Sequence, residues 1–309
     1  MIQKIGDLNI KEISTKTIKY KKEEILDGIN VFDKFFIKKS NGKIDWVTNR
    51  VCDHNFGKLI CDKNKLTARC PMHNWKLNLK NLNYENIKLK KKTINFIENK
   101  DYITIPNKER YLSFPFNKIK SHDEDVKIRY ISHASVLISF SGINMLTDPW
   151  LLGPAFSNGW WLKEPPKVRL DDIVKITDII YVSHNHPDHL HEETLKKFNK
   201  NIKIVTPKFR SNSSINLLKR YGFKNILLCE FNKVFQIYKK NFFFSILKSG
   251  DFKDDSGIFL SINNKKILLN VDSNNLNGGI LPKDIDILLS SYAGGASGFP
   301  LCFDDYSQK

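Results

Sequence analysis

The sequence predicts an α+β chain of two domains, a small all-β unit followed by a larger unit that mixes strands and helices. Three observations carry this. Residues 30–107 read as short β-type runs separated by turn signals. Pro106, Pro115 and the charged stretch Ser121-His122-Asp123-Glu124-Asp125 then break the pattern. Beyond Val126, strands are interleaved with helical segments. The expected boundaries are 1–27 for an N-terminal segment, 28–107 for the all-β domain, 108–125 for a linker and 126–309 for the second domain. With 309 residues and 41% hydrophobic content, the chain can pack a core in each domain.

Taken in order, the first domain is expected to hold strands at Val31–Ile37, Ile44–Val51, Lys65–Arg69, Trp75–Leu79, Thr93–Ile97 and Tyr102–Ile105. The second opens with Ile128–Ser132, Val136–Phe140, Ile143–Thr147 and Asp178–Ser183, followed by helices at Glu192–Asn199 and Ser213–Tyr221. Its later strands are Lys203–Thr206, Asn225–Cys229, Phe242–Leu247, Gly257–Ile262, Lys266–Val271 and Asp286–Ser290. Five scattered cysteines give no disulfide framework, and Met1-Ile2-Gln3-Lys4 lacks a signal-peptide core. No apolar run approaches the ~20 residues of a membrane span. A cytoplasmic protein without a membrane span is expected. The net charge of +17 comes from lysines spread along the chain. The one basic run, Lys88-Leu89-Lys90-Lys91-Lys92, lacks the interleaved aromatics of a strand-binding platform, so no nucleic-acid partner is expected.

Two mixed Cys/His pairs dominate the first domain. Cys52-Asp53-His54 is followed, after fifteen residues, by Cys70-Pro71-Met72-His73. Zinc sites usually set Cys with Cys and His with His, whereas each pair here is mixed. The pattern reads as a Rieske [2Fe-2S] site, with Cys52 and Cys70 on one iron and His54 and His73 on the other, which raises the reduction potential. Both pairs follow β-rich runs and enter loops whose backbone N–H groups could bond the cluster sulfurs. Cys61 reads as a small buried hydrophobe.

The second domain carries His184-Asn185-His186-Pro187-Asp188-His189 at the end of the strand Ile179-Ile180-Tyr181-Val182-Ser183. His184 and His186 lie two apart in an extended segment and so point the same way, and Asp188 and His189 follow in the turn before a helix. This pattern resembles the metallo-β-lactamase superfamily, whose αββα sandwich binds one or two metals there. Asp272, just past an apolar strand, is placed to add a carboxylate. Asp148 reads either as support for a ligand or as a turn former, and His133 as structural or as support near the pocket. His191 reads as a surface residue. Trp150, Trp160 and Trp161 read as packing residues, with a wall for a ligand ring as the other reading.

The fold class is therefore an N-terminal all-β Rieske [2Fe-2S] domain plus an incomplete αββα metallo-β-lactamase-like sandwich. Four further strips sharpen it: His73-Asn74-Trp75-Lys76-Leu77, Asp148-Pro149-Trp150-Leu151-Leu152-Gly153-Pro154-Ala155-Phe156, Gly159-Trp160-Trp161-Leu162 and Ala293-Gly294-Gly295-Ala296-Ser297-Gly298-Phe299-Pro300. In this order across two domains they resemble the CMP-N-acetylneuraminate hydroxylase family, from about residue 28 onward. The resemblance implies a monooxygenase that hydroxylates the N-acyl group of a CMP-sialic acid or related nucleotide sugar with dioxygen. It further implies electrons from a cytochrome b5-type or ferredoxin-type donor with an NAD(P)H reductase.

Two departures shape the metal expectation. Where the family has a histidine after the strand Phe242–Leu247, this chain reads Lys248-Ser249-Gly250-Asp251-Phe252, and no histidine follows His191. Family members also continue beyond the Gly-rich loop, so a C-terminally truncated form is expected. The remaining set, His184, His186, Asp188, His189 and Asp272, suits one non-haem iron better than two metals, with zinc as the alternative. Asp188 and Asp272 are the expected catalytic carboxylates. An electron-transfer Rieske protein with a degenerate second domain and a metal-dependent hydrolase are the competing functions.

Overall fold

The structure is a computed structural model, and it describes residues 1–54, 58–70, 74–85, 87–116, 119–120, 122–249, 254–273 and 276–291. The C-terminal two-thirds is built on two six-stranded sheets packed face to face. The first runs, in spatial order, Lys127–Ser132, Ser135–Phe140, Ile143–Thr147, Ile179–Tyr181, Lys203–Pro207 and Ile226–Cys229. Its first two pairings are antiparallel hairpins and the next three are parallel. The second runs Ile2–Asp7, Lys233–Ile237, Phe242–Lys248, Ser256–Ile262, Lys265–Val271 and Ile287–Ser290.

Alternation decides which side chains meet. Successive strand residues face opposite sides, so Phe242, Phe244 and Ile246 point at Ile138, Met145, Ile179 and Tyr181 of the facing sheet. Their neighbours Phe243 and Leu247 point outward, against Leu8, Leu112 and Phe114. The outer face of the first sheet, with Leu137, Leu146, Ile180 and Ile204, is covered by the helices α1 (Leu170–Ile176), α2 (Glu192–Lys196) and α3 (Ser213–Arg220).

A helical layer therefore covers one sheet, where an αββα sandwich has two. Among the described residues, the outer face of the second sheet is closed by the end of a long strand, Tyr102–Ser113, and by Phe114 and Phe116. Phe114 lies 4.5 Å, centroid to centroid, from Phe259. This strand extends into the stretch assigned to a linker, and its register against Asn9–Lys21 continues to the Ser113–Asn9 pair. The expected N-terminal segment is strand too. Ile2–Asp7 pairs antiparallel with Lys233–Ile237 and forms an edge of the second sheet.

The all-β part holds two further three-stranded sheets, Gly28–Val31/Phe35–Ser40/Lys43–Asn49 and Ile60–Cys61/Thr67–Arg69/Lys76–Asn78. The single strand expected at Val31–Ile37 is two strands, because Phe32–Lys34 turns the chain and Phe32 N–H bonds the Phe35 carbonyl at 2.9 Å. Helix α1 and the strand Lys233–Ile237 lay beyond the sequence reading. No helix among the described residues is long and apolar enough to cross a membrane.

The inter-sheet core sets the stability of this unit. Truncating a buried leucine removes transfer free energy and leaves a cavity, costing roughly 2–5 kcal/mol. Leu260→Ala, at 0% exposure, is expected to lower unfolding free energy by about that amount. Leu288→Ala, at 61% exposure, should stay within about 0.5 kcal/mol of the parent chain in the same urea titration.

Candidate metal centres

The strand Ile179–Tyr181 is buried at all three positions, and its C-terminal end delivers Ser183 and His184 to the rim between the two sheets. Tyr181 Oη donates to Ser256 Oγ at 2.9 Å, and Ser256 Oγ donates to the Ser183 carbonyl at 2.8 Å, tying this end to the opposite sheet. The chain then turns: His189 and Leu190 N–H both bond the His186 carbonyl, at 3.0 and 2.8 Å. Helix α2 follows at once.

Two overlapping triads form here. The ligand-type atoms of His184, His189 and Asp272 lie within 4.8 Å of one another, as do those of His133, Asp188 and His189. His189 Nε2 is 3.4 Å from both Asp188 Oδ2 and Asp272 Oδ2. Asp188 Oδ2 also sits 2.9 Å from His133 Nε2. His186 is exposed and belongs to neither triad; its ring centroid lies 4.4 Å from that of His184. Asp251 lies outside the described residues, as does all of the Gly-rich stretch 293–300.

Asp148 orients the centre. It is fully buried at the end of the strand Ile143–Thr147, and it accepts Ser183 N–H at 2.7 Å and Ser183 Oγ at 2.6 Å. Its Oδ2 lies 2.9 Å from His189 Nδ1, which turns Nε2 of that ring toward Asp188 and Asp272. Between ligand support and turn former, the contacts favour support. Asp255 completes the surroundings. Buried ahead of the strand Ser256–Ile262, it places Oδ1 3.3 Å from His184 Nδ1, where Ser183 Oγ also lies at 2.9 Å. Sequence reasoning missed Asp255; the only available signal was an acidic pair, Asp254-Asp255, directly before an apolar run.

The electrostatics suit a cation. Burial, with His189 and His186 nearby, holds the His184 imidazole well below its usual range and so in the neutral, ligating form. Burial opposes a charge on His189, but Asp148, Asp188 and Asp272 outweigh it and raise that ring well above its ordinary value. Asp188 and Asp272 are both lowered against the cost of burial, chiefly by His133 and His189 for the first and by His189 for the second. Two buried polar atoms, His184 Nε2 and Asp188 Oδ1, have no hydrogen-bond partner among the described residues, and His189 Nε2 meets Asp188 and Asp272 only at 3.4 Å. Such orphans are costly unless something binds them. A divalent metal fits this donor set.

His191, expected at the surface, is buried. It caps α2: Nδ1 accepts Thr194 N–H at 3.3 Å, and Nε2 donates to the Pro154 carbonyl at 3.0 Å. Trp150 is buried, as a packing residue should be, with Nε1 donating to the Gly153 carbonyl at 3.0 Å. Trp160 and Trp161 are exposed, the latter by 67%. They line a cleft of about 790 Å³ with His133, Trp150, Lys163 and Lys167.

In the all-β part, Cys52 and Cys70 are buried in one cluster with Leu59, Ala68, Leu77 and Tyr84. Cys70 N–H bonds the Trp75 carbonyl at 2.8 Å. The His54 ring stacks on Trp75, 4.4 Å between centroids. Two thiols and one imidazole of the expected set thus share one neighbourhood, and soft sulfur with borderline nitrogen suits a transition metal. His73 lies outside the described residues. Cys61 is half-buried, and burial pushes its thiol up.

Residues 127–250 match the family described as a beta-lactamase superfamily domain. The chain is 33% identical over 307 residues to cytidine monophosphate-N-acetylneuraminic acid hydroxylase of Pan troglodytes, covering 90% of this chain and 50% of that protein. The Xenopus laevis protein of the same name is 34% identical over 288 residues, covering 87% of this chain and 48% of that one. The chain therefore spans about half the length of the curated relatives it matches. A solved isothiocyanate hydrolase from Delia radicum gut bacteria is 18% identical, with a TM-score of 0.39 over 47% of this chain and 62% of that one.

Outer partners of this kind typically change metal affinity 10–100-fold. Asp148→Asn is expected to weaken metal binding at the His184/His189 centre by roughly that factor, read by competition with a chromophoric chelator. Unchanged affinity in a folded variant would remove Asp148 from the centre.

Proposed function

We propose that this chain, related over 90% of its length to the cytidine monophosphate-N-acetylneuraminic acid hydroxylases, is an iron-dependent monooxygenase that hydroxylates the N-acyl group of a CMP-sialic acid or related nucleotide sugar. The observation that supports it most is breadth. A match over 90% of the chain spans the segments that carry the Cys/His pairs and the His/Asp centre, and each centre gives the other a purpose. Zinc does not change oxidation state, so one-electron delivery is useful only to a redox metal.

In this reading Cys52, Cys70, His54 and His73 hold a Rieske cluster, and His184, Asp188, His189 and Asp272 supply the ligands of one non-haem iron, with His186, exposed and outside both triads, joining them only by a turn of its side chain. Bound iron supplies activation of dioxygen for insertion into a C–H bond. The protein's own residues do the rest. Burial keeps His184 neutral for ligation. Asp148 fixes which nitrogen of His189 faces the centre, and Asp188 and Asp272 contribute negative charge to balance the cation. His133 joins the centre to the cleft, since it contacts Asp188 and also lines the cleft wall. Trp160 and Trp161 offer faces for a base, and Lys163 and Lys167 offer charge to a phosphate or sugar carboxylate. Electrons come from a cytochrome b5-type or ferredoxin-type donor.

The deciding experiment combines iron and zinc quantification with electron paramagnetic resonance of the reduced protein. Iron at both centres is expected, and Cys52→Ala should lose the cluster's share while the second centre keeps its own. Zinc alone at the second centre of freshly isolated protein would sink the proposal. Substrate-stimulated oxygen consumption, lowered at least tenfold by His189→Ala, is the matching functional readout.

A further inference from the structure

We infer that Lys91 is a positioning residue for the cluster proposed at Cys52, His54, Cys70 and His73: a buried cation that grips the Cys52 segment and raises the cluster's reduction potential. The inference rests on that cluster reading.

Lys91 belongs to the one basic run of the chain, yet it does not behave like its neighbours. Lys88, Lys90 and Lys92 are exposed, whereas Lys91 is 2% exposed. Its Nζ donates to the Val51 carbonyl and, at 3.2 Å, to Asp53 Oδ2. These residues flank Cys52 on either side. Tyr84 binds the same segment twice, donating to Asp53 Oδ2 at 3.0 Å and accepting Asp53 N–H at 3.1 Å. The Tyr84 ring meets Trp75 edge-on at 5.4 Å, and Trp75 stacks on His54. One network thus holds Cys52 and His54 together.

A buried ammonium costs several kcal/mol in lost hydration, so its place needs a reason. The ion pair is lopsided: the Lys91 side chain is 1% exposed and that of Asp53 is 38% exposed. Water screens the carboxylate more than the ammonium, which leaves a net positive field on the buried side. Cys52 lies on that side, close enough for its charge to act on both Lys91 and Tyr84. Arg110 is a further cation within electrostatic range of Lys91 and adds the same sign. Reduction adds negative charge to a cluster, and a positive field favours it.

The test is a potentiometric titration of the full chain followed by electron paramagnetic resonance. Lys91→Met keeps most of the length of the side chain and removes its charge; Lys91→Gln keeps an N–H donor in place of the ammonium. Both should shift the midpoint potential to more negative values while binding as much iron as the parent. An unchanged midpoint in a loaded variant overturns the inference. Loss of the cluster from both variants, with circular dichroism intact, also overturns it, because Lys91 would then be a structural brace only. A parent chain with no Rieske signal defeats the cluster reading itself, a separate outcome that leaves no potential to measure.

Discussion

The metal-side architecture hangs on one buried carboxylate. Asp148 adopts a positive φ of 36°, a conformation that side chains other than glycine rarely take. Strain of this kind costs about 1–3 kcal/mol and persists only where surrounding bonds overdetermine it. They do so here. Asp148 N–H bonds the Tyr181 carbonyl at 2.8 Å, its own carbonyl accepts from Ser135 Oγ at 2.8 Å, and its carboxylate meets Ser183 and His189. Three strand ends and the histidine turn are pinned to one residue, through its backbone and its carboxylate together. The arrangement also spends charge deliberately: the His189 imidazole sits among three carboxylates, a cost that a shared cation relieves.

His191 extends the same constraint outward. By capping α2 and bonding Pro154, it ties the helix to the segment that carries Trp150 and leads to Trp160. Thr194 reinforces the tie, since its Oγ1 accepts Leu151 N–H at 3.0 Å. The cleft wall and the histidine turn are therefore held by one hydrogen-bonded frame. Such a frame keeps the cleft wall and the histidine turn in a fixed relation to each other.

What could be read from the sequence follows from where the information sits. The second domain's strands are near-continuous apolar runs, buried on both faces, and most are legible to within a residue or two. The His184–His189 motif is local, so its meeting with Asp272 needed only the end of one later strand. Asp255, His191 and Lys91 gave no such signal. Each acquires its role from tertiary partners: His184 for Asp255, Pro154 for His191, and the Cys52 segment for Lys91. The strand Asn9–Lys21 was illegible for another reason. It is mostly exposed and charged, and its pairing with Tyr102–Ser113 rather than burial keeps it extended. Among the described residues, Leu112, Phe114 and Phe116 pack on the outer face of the second sheet, where the sequence pattern had suggested a helical layer.

Topology links the two centres more closely than a bead-on-string reading allows. Ile2–Asp7 precedes the all-β part in sequence yet forms an edge of the second sheet, paired with residues Lys233–Ile237. The all-β part is consequently threaded between one strand of the lactamase-like unit and all its others, and is tethered at both ends. Leu8 at one tether and Leu112 and Phe114 at the other pack on the same outer sheet face. A unit held by two anchored connections samples far fewer orientations than one on a single linker. Double anchoring on a shared sheet restrains the all-β part through the backbone at both of its ends.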